Sequence, residues 1–254
     1  DQEMNYAVNI GLDYTLNENT IIYGRIGSGF RYPNIDDRIG GSGGTSLELN
    51  TQTTKDFEIG SKFASDNFSS NVSTYIIEGK NELVYDTDAF ETINMNSTRR
   101  YGVELNTRNK ISDKFNLTNN FTFAKAKYTS GDQGTYATDF KGNDVPLVPQ
   151  YSLDTSLEWK ISEFTKIIPT IKYQDDMRME SDDENFQDTK IPSYIIANMS
   201  ITSKFGKFFS TLSINNIFDE EYHNYAVASS STLGAYNAYP EPGREIILSL
   251  GTNF

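Results

Sequence analysis

Hydrophobic and polar residues alternate along most of this chain with a period of two. Segment 151–161 is the clearest case, because its odd positions read Tyr, Leu, Thr, Leu, Trp, Ile and its even positions read Ser, Asp, Ser, Glu, Lys. Successive side chains of a strand point to opposite faces, so this segment predicts a strand with one apolar and one polar face. Similar splits occur at 6–14, 20–27, 57–63, 68–77, 101–107, 115–123, 164–173, 194–202, 208–215 and 246–254.

The connections between these segments alternate in length. Short turns lie around 17–19, 65–67, 111–113, 162–163 and 203–207, and long loops lie at 30–52, 79–97, 128–150, 175–191 and 217–243. Short turns at one rim and long loops at the other are typical of an outer-membrane β-barrel. We therefore predict an all-β chain that forms a transmembrane antiparallel β-barrel wall. The alternative is a soluble β-sandwich, which also alternates apolar and polar residues but usually has turns of mixed length.

The number of predicted strands is odd. Bacterial single-chain barrels normally have even numbers, and the eleven segments counted here are half of the 22 strands of plugged transporters. An isolated sheet would leave two bare edges in lipid, where each unpaired backbone group costs several kcal/mol. We therefore expect residues 1–254 to be the C-terminal half of a 22-stranded plugged barrel, with the plug domain and the N-terminal half outside this sequence. Pro169 predicts a bulge or a shortened strand.

Composition excludes several function classes. The formal charge of −13 argues against nucleic-acid binding, which needs basic contacts to phosphates. There is no cysteine and only one histidine, His223, so neither a thiolate metal site nor a Ser–His or two-His site can be built. We expect no enzyme, no covalent cofactor and no resident metal. No apolar run approaches the roughly 18 residues of a transmembrane helix.

Short motifs in a fixed order carry a family resemblance. Residues 29–34 read GFRYPN, residues 215–222 read NNIFDEEY and residues 239–244 read YPEPGR. Shorter matches are FEIG at 57–60, YGVEL at 101–105 and VPLVP at 145–149. Together they resemble the motifs of TonB-dependent outer-membrane receptors from about residue 20 to the end. The terminal Phe254 is similar to the aromatic residue that barrel-assembly machinery reads in this family.

The resemblance implies a place and a mode of action. Receptors of this family lie in the outer membrane of Gram-negative bacteria and bind scarce nutrients, most often ferric siderophores, at the extracellular mouth. Their plug rearranges when the TonB-ExbB-ExbD complex pulls on an N-terminal box. The implied function is TonB-dependent uptake of a ferric siderophore, an iron chelate. Cobalamin, haem, sugar or another metal chelate remain alternatives, as does a passive porin or adhesin barrel. Haem receptors of this family carry a His between the FR-x-P stretch and the following strand. Residues 31–57 contain no His, which argues against haem as the substrate.

Candidate substrate contacts lie in or beside the long loops. They are Arg31, Tyr32, Arg178, Tyr222, His223, Tyr225, Tyr236 and Tyr239. Aromatic rings in an extracellular mouth could stack on an aromatic or chelate ligand. They could equally be girdle residues at the membrane interface, and a lone histidine beside a turn is commonly a surface residue.

The loop at 175–190 is strongly acidic. It holds seven acidic residues against Arg178 and Lys190. Such a loop repels anionic chelates and could favour cationic or neutral ones, or bind calcium. It could also be a solvated loop, or one bridged to lipopolysaccharide by divalent cations. Six arginines would offset the charge if they pointed into the mouth, namely Arg25, Arg31, Arg38, Arg99, Arg100 and Arg178.

Three charged residues belong to the polar face of the predicted strands. Glu58, Arg100 and Glu104 are expected to project inward, where wall-to-plug salt bridges are favoured over substrate contact. Gly60 and Gly102 share that face, and a missing side chain there would let the plug or another backbone approach closely.

Overall fold

Eleven long strands form one antiparallel sheet in the computed structural model, which describes residues 4–39, 48–86, 91–95, 97–130, 140–229 and 231–252. The strands are β1 (Val8–Asn17), β2 (Thr20–Arg31), β3 (Gln52–Ala64), β4 (Phe68–Lys80), β7 (Thr98–Lys110), β8 (Phe115–Tyr128), β9 (Tyr151–Lys160), β10 (Thr165–Gln174), β11 (Tyr194–Phe205), β12 (Phe208–Asn215) and β15 (Glu245–Thr252). They lie side by side in chain order. Within the described residues β1 and β15 are not paired to each other, so the sheet is open.

The prediction of eleven strands with alternating turns and loops is confirmed. Turns of two to four residues connect the strands at one rim, and loops at 32–51, 81–97, 129–150, 175–193 and 216–244 connect them at the other. Two loops contain hairpins that the sequence did not predict, made of β5 (Glu82–Asp86) with β6 (Glu91–Met95), and β13 (His223–Ala228) with β14 (Tyr236–Pro240). A short 3-10 helix covers Asp36–Arg38. None of the helical structure in the described ranges is long and apolar enough to cross a membrane.

The strand register joins the apolar positions into one continuous face. Phe57 of β3 lies opposite Ile26 of β2 and Ile76 of β4. At the far edge, Leu212 of β12 lies opposite Ile201 and Leu248. Many of these side chains are exposed, and Leu248 keeps 63% of its surface. A soluble sandwich would cover such a face with a second sheet, and no second large sheet exists among the described residues. An exposed apolar band suits lipid contact.

Strand β10 passes through Pro169 without a bulge, so that prediction was wrong. The pairing with β11 is continuous from Thr165 to Gln174. On the other side, the pairing with β9 is interrupted after Ile167 and resumes at Thr170 in the same register. Proline lacks a backbone N–H and therefore removes a ladder bond. The sheet accommodates that loss as a local gap instead of shifting the chain.

Tyrosine rings fill the space above Gly60 and Gly102. A Cβ on Gly60 would lie 2.5 Å from the Tyr23 hydroxyl, and one on Gly102 would lie 2.7 Å from the Tyr75 hydroxyl. Tyr23 and Tyr75 are the direct cross-strand neighbours of these glycines. The missing side chain at Gly60 therefore makes room for a ring of the same sheet. At Gly102 it makes room for the Tyr75 ring and also for the Phe123 carbonyl oxygen, so the expected close approach of another backbone is found there.

Candidate functional site

A cavity of about 290 Å³ opens on the polar face between β2 and β8, and it brings together the three predicted inward residues Glu58, Arg100 and Glu104. The guanidinium of Arg25 also lines it, with Nη2 lying 3.2 Å from Asp56 Oδ2 and Nε lying 3.5 Å from Glu58 Oε2. The Tyr23 hydroxyl donates to Glu58 over 3.1 Å. The alternation of side chains along each strand was therefore sufficient to place these residues on one face, although their hydrogen-bond and ion-pair partners were not predicted.

Arg100 anchors the β5–β6 hairpin to the barrel wall. Its Nη1 and Nη2 atoms donate to the two carboxylate oxygens of Glu82 over 2.5 and 2.8 Å, and the Thr98 hydroxyl donates to the same carboxylate. Burial acts to raise the pKa of Glu82, but the hydrogen bonds from Arg100 and Thr98 outweigh it and hold the pKa below its usual range. The positive charge of Arg100 is therefore paired with a carboxylate of the loop that follows β4.

The hairpin anchor should weaken in acid. The pKa of Glu82 is lower in the folded than in the unfolded protein, so its contribution is present above the unfolded pKa of about 4.3 and is lost as the pH falls through the folded value. Hydrogen exchange of residues 82–95 should therefore accelerate below about pH 4 relative to the chemical rate. Glu82→Gln should show fast exchange already at neutral pH. Glu78→Gln is the control, because the Glu78–Arg99 pair is half-exposed, and equal exchange in the two variants would contradict the assignment.

Three loops share one small hydrophobic core above the sheet. Met177, Met179 and Ile191 of the 175–193 loop are buried against Ala226 and Ala228 of β13, and Leu147 packs on the same cluster. Met179 is 1% exposed and Ile191 is fully buried. The described parts of the 129–150, 175–193 and 216–244 loops therefore form one packed layer, which we call the loop layer.

Gln187 is the main polar link within the loop layer. Its side-chain amide donates to the carbonyl oxygens of Ser229 and Thr232 over 2.6 and 3.1 Å, and its Oε1 accepts from the Gly234 N–H over 2.7 Å. On the opposite side, the Leu147 N–H donates to the Arg178 carbonyl oxygen over 3.0 Å. Nothing in the sequence around Gln187 indicated this role, because its partners lie more than 40 residues away.

Arg178 is part of the loop layer. Its Nη1 donates to Asp182 Oδ2 over 2.8 Å and to the Gln187 carbonyl oxygen over 2.9 Å. The Asp182 side chain is 1% exposed. The acidic loop is therefore a folded element and not the solvated loop that was one of its interpretations. Among the described residues no group of three or more His, Cys, Asp or Glu side chains could hold a metal ion, so the calcium interpretation gains no support.

The last loop brings five of the predicted contacts together on and beside the β13–β14 hairpin. Its rings pack in pairs. His223 stacks on Tyr236 with ring centroids 6.3 Å apart, whereas Tyr222 packs at a tilt against Tyr194 of β11 at 4.6 Å and Tyr225 at a tilt against Tyr239 at 5.1 Å. The Tyr225 hydroxyl also donates to Glu180. Tyr236 and Tyr239 keep 42% and 56% of their surface exposed. This hairpin, which we call the aromatic hairpin, presents aromatic surface at the rim that carries the long loops, which we call the loop rim.

Arg31 and Tyr32 lie elsewhere. They stand at the end of β2, and seven strands of the sheet separate β2 from β12. Arg31 Nη2 donates to both carboxylate oxygens of Asp37, over 2.8 and 2.9 Å, and the Tyr32 ring packs edge-on against Phe30 at 5.0 Å. The structure therefore does not join these two residues to the aromatic hairpin within this chain.

The NNIFDEEY and YPEPGR motifs form a clamp at the start of the last strand. Asn216 and Asp219 adopt positive φ angles of 49° and 58°. Asn216 Nδ2 donates to the Glu220 carbonyl oxygen over 2.9 Å, and Asp219 Oδ1 accepts from the Arg244 N–H over 2.7 Å. A side chain at 243 would crowd Asp219, since its Cβ would lie 2.8 Å from Oδ1. These motifs therefore hold β12 and β15 together. Phe254, the predicted assembly signal, lies outside the described residues.

An eleven-stranded antiparallel sheet with an exposed apolar face, short turns at one rim and long loops at the other has the architecture of an outer-membrane β-barrel wall. The family described as "TonB dependent receptor-like, beta-barrel" matches residues 3–217. The chain belongs to this family, whose members are transport receptors and not enzymes.

Known relatives agree with this assignment. The chain is 22% identical over its whole length to the ferric enterobactin receptor PirA of Pseudomonas aeruginosa, and it spans 37% of that protein. Among solved structures, 97% of the chain superposes on 37% of the ferric yersiniabactin uptake receptor FyuA of Yersinia pestis, with a TM-score of 0.76 and 15% identity. It also superposes on 39% of the copper transporter OprC, with a TM-score of 0.77 and 16% identity. These likenesses to solved structures show the fold.

Proposed function

We propose that this chain belongs to an outer-membrane receptor that takes up a ferric siderophore in a TonB-dependent, energy-coupled manner. The observation that carries the proposal is the match of the whole of this chain to 37% of a ferric enterobactin receptor, within a family of transport receptors. The aromatic hairpin and the packed loop layer supply a rigid surface at the loop rim, where recognition by a barrel is expected.

The chain would contribute the C-terminal half of the barrel. This part of the proposal is supported by the eleven described strands and by a span of 37% of the curated relative. A plug domain and a TonB box would then precede it, TonB-ExbB-ExbD would supply the energy, and barrel-assembly machinery would insert the protein. The cavity lined by Glu58, Arg100 and Glu104 would face the plug.

The test is a binding titration with the full-length receptor in detergent, followed by intrinsic tryptophan fluorescence. We expect submicromolar binding of a ferric siderophore and no comparable binding of haem or cobalamin. A folded receptor that binds haem or cobalamin more tightly, or no ferric siderophore of a broad panel, would contradict the proposal.

Removing the exposed tyrosines of the aromatic hairpin should weaken that binding. Tyr236 and Tyr239 are exposed and pack against His223 and Tyr225, respectively. We expect Tyr236→Ala with Tyr239→Ala to raise the Kd at least about tenfold, since aromatic contacts dominate many binding surfaces. Tyr101→Ala is the control, because Tyr101 lies on the apolar face of β7. Unchanged affinity in the double variant would assign the two tyrosines to the membrane girdle.

A further inference from the structure

Acidic charge is concentrated in the long loops. Segments 32–51, 81–97, 129–150, 175–193 and 216–244 hold 21 acidic and 5 basic residues, whereas the rest of the chain holds 14 acidic and 17 basic residues. By sequence, these loop segments carry a formal charge of −16, and the strands and turns carry +3. Clefts lined by one sign of charge focus the field and select the charge of the ligands that approach them.

Basic side chains near the rim are paired with acidic neighbours, so they neutralise part of the loop charge and are not left free to form an anion site. The pairs at the rim are Arg31–Asp37 at 2.8 Å, Arg99–Glu78 at 2.6 Å, Arg100–Glu82 at 2.5 Å, Lys127–Asp144 at 2.7 Å, Arg178–Asp182 at 2.8 Å and Lys190–Asp176 at 2.8 Å. Arg25 is likewise held by Asp56 and Glu58. Arg25, Arg31, Arg99, Arg100 and Arg178 are therefore engaged with carboxylates.

The aromatic hairpin shares this acidic environment. Tyr225 donates to Glu180, and burial together with the charge of Glu241 raises the pKa of Tyr222. Tyr239 packs against Tyr225, and both Tyr236 and Tyr239 are exposed. Aromatic faces attract cations, and a surrounding negative field strengthens that attraction while it repels anions. Ring surface and charge thus favour the same class of ligand.

From this arrangement we infer that the receptor selects a neutral or cationic iron chelate and rejects polyanionic ones. The inference rests on the proposed function and narrows its substrate class. Two independent features support this selection. One is the acidic charge of the loops that remains after the ion pairs are counted, and the other is the exposed aromatic surface of the hairpin.

The experiment compares three ferric chelates on the full-length receptor in detergent. The probes are a ferric trihydroxamate with a pendant ammonium group, a neutral cyclic ferric trihydroxamate and a ferric tris-catecholate. We expect the first or second to bind at least about tenfold more tightly than the tris-catecholate. Added salt should weaken binding of the cationic probe and strengthen binding of the tris-catecholate, because screening reduces both attraction and repulsion.

Charge-neutral variants test the origin of the selectivity. Glu184 and Asp188 are exposed and form no ion pair among the described residues, so Glu184→Gln with Asp188→Asn preserves the loop layer. This variant should bind the cationic probe about three- to tenfold more weakly and the tris-catecholate more tightly. The matched control, Asp66→Asn with Glu163→Gln, removes the same charge from exposed turns at the opposite rim and should change neither affinity.

The outcomes separate this inference from the proposed function. Tighter binding of the tris-catecholate, weakened by salt, would overturn the charge selectivity and leave ferric siderophore uptake standing. If the control variant changes the selectivity as much as the loop variant does, the selectivity does not arise from the loop rim. A folded receptor that binds none of the three chelates would overturn the charge selectivity, and if it also binds no ferric siderophore of the broad panel it would overturn the proposed function as well.

Discussion

Arg178→Ala should release the loop layer while leaving the barrel wall intact. The substitution strands the Asp182 carboxylate, whose side chain is 1% exposed, and removes a donor from the Gln187 carbonyl oxygen. Breaking a buried ion pair by removing one partner costs about 3–5 kcal/mol. We expect rapid proteolysis and fast hydrogen exchange in residues 175–193 and 223–240 of the full-length receptor. Heat-modifiable gel mobility should stay normal, because the strand ladder is untouched.

Two further variants establish the cause. Lys190→Ala removes a half-exposed pair with Asp176 and should change loop protection little, since exposed pairs contribute about 0–1 kcal/mol. Arg178→Leu combined with Asp182→Leu removes both charges and should restore much of the protection, because no buried charge is left unpaired. Protection in Arg178→Ala that matches the wild type would show that the ion pair does not hold the loop layer.

Leu248→Arg should impair barrel assembly strongly. Leu248 lies on the apolar face of β15, opposite Leu212, and 63% of its surface is exposed for lipid. An arginine on the lipid face near the membrane midplane costs about 2–4 kcal/mol. The measurement is the fraction of full-length receptor that shows heat-modifiable mobility in isolated membranes.

The adjacent residue provides the control. Ser249 pairs with Thr211 on the polar face of the same strand, so Ser249→Arg changes side-chain size and charge in the same way without placing the guanidinium in lipid. We expect this variant to assemble nearly normally. Equal loss of folded receptor in the two variants would show that the assignment of the faces is wrong.

The architecture was predictable because lipid imposes a simple rule on sequence. Lipid-facing positions are predominantly apolar, so strands such as β9 reveal both their extent and their facing by a period of two. The same parity placed Glu58, Arg100 and Glu104 on one face. The bulge or shortened strand expected at Pro169 was wrong, because the sequence does not reveal which neighbouring strand would lose a hydrogen bond.

The loop layer could not be predicted by the same reasoning. Its contacts join residues far apart in the chain, as in Tyr225 with Glu180 and Gln187 with Gly234. No periodic pattern marks such contacts, since each depends on how two loops meet in space. Arg178 therefore had the sequence features of a ligand contact, whereas the structure shows it holding a buried carboxylate. Composition alone could not separate these roles.

The shared core of the loop layer limits how such receptors can be recombined. A chimaera that exchanges only residues 175–193 would import a new set of side chains against the unchanged Ala226, Ala228 and Leu147, and would lose the fit around Met179 and Ile191. A graft that takes residues 129–244 as one block would carry all three loops and the strands between them. Transplanting ligand preference between receptors should therefore succeed with the block and fail with a single loop.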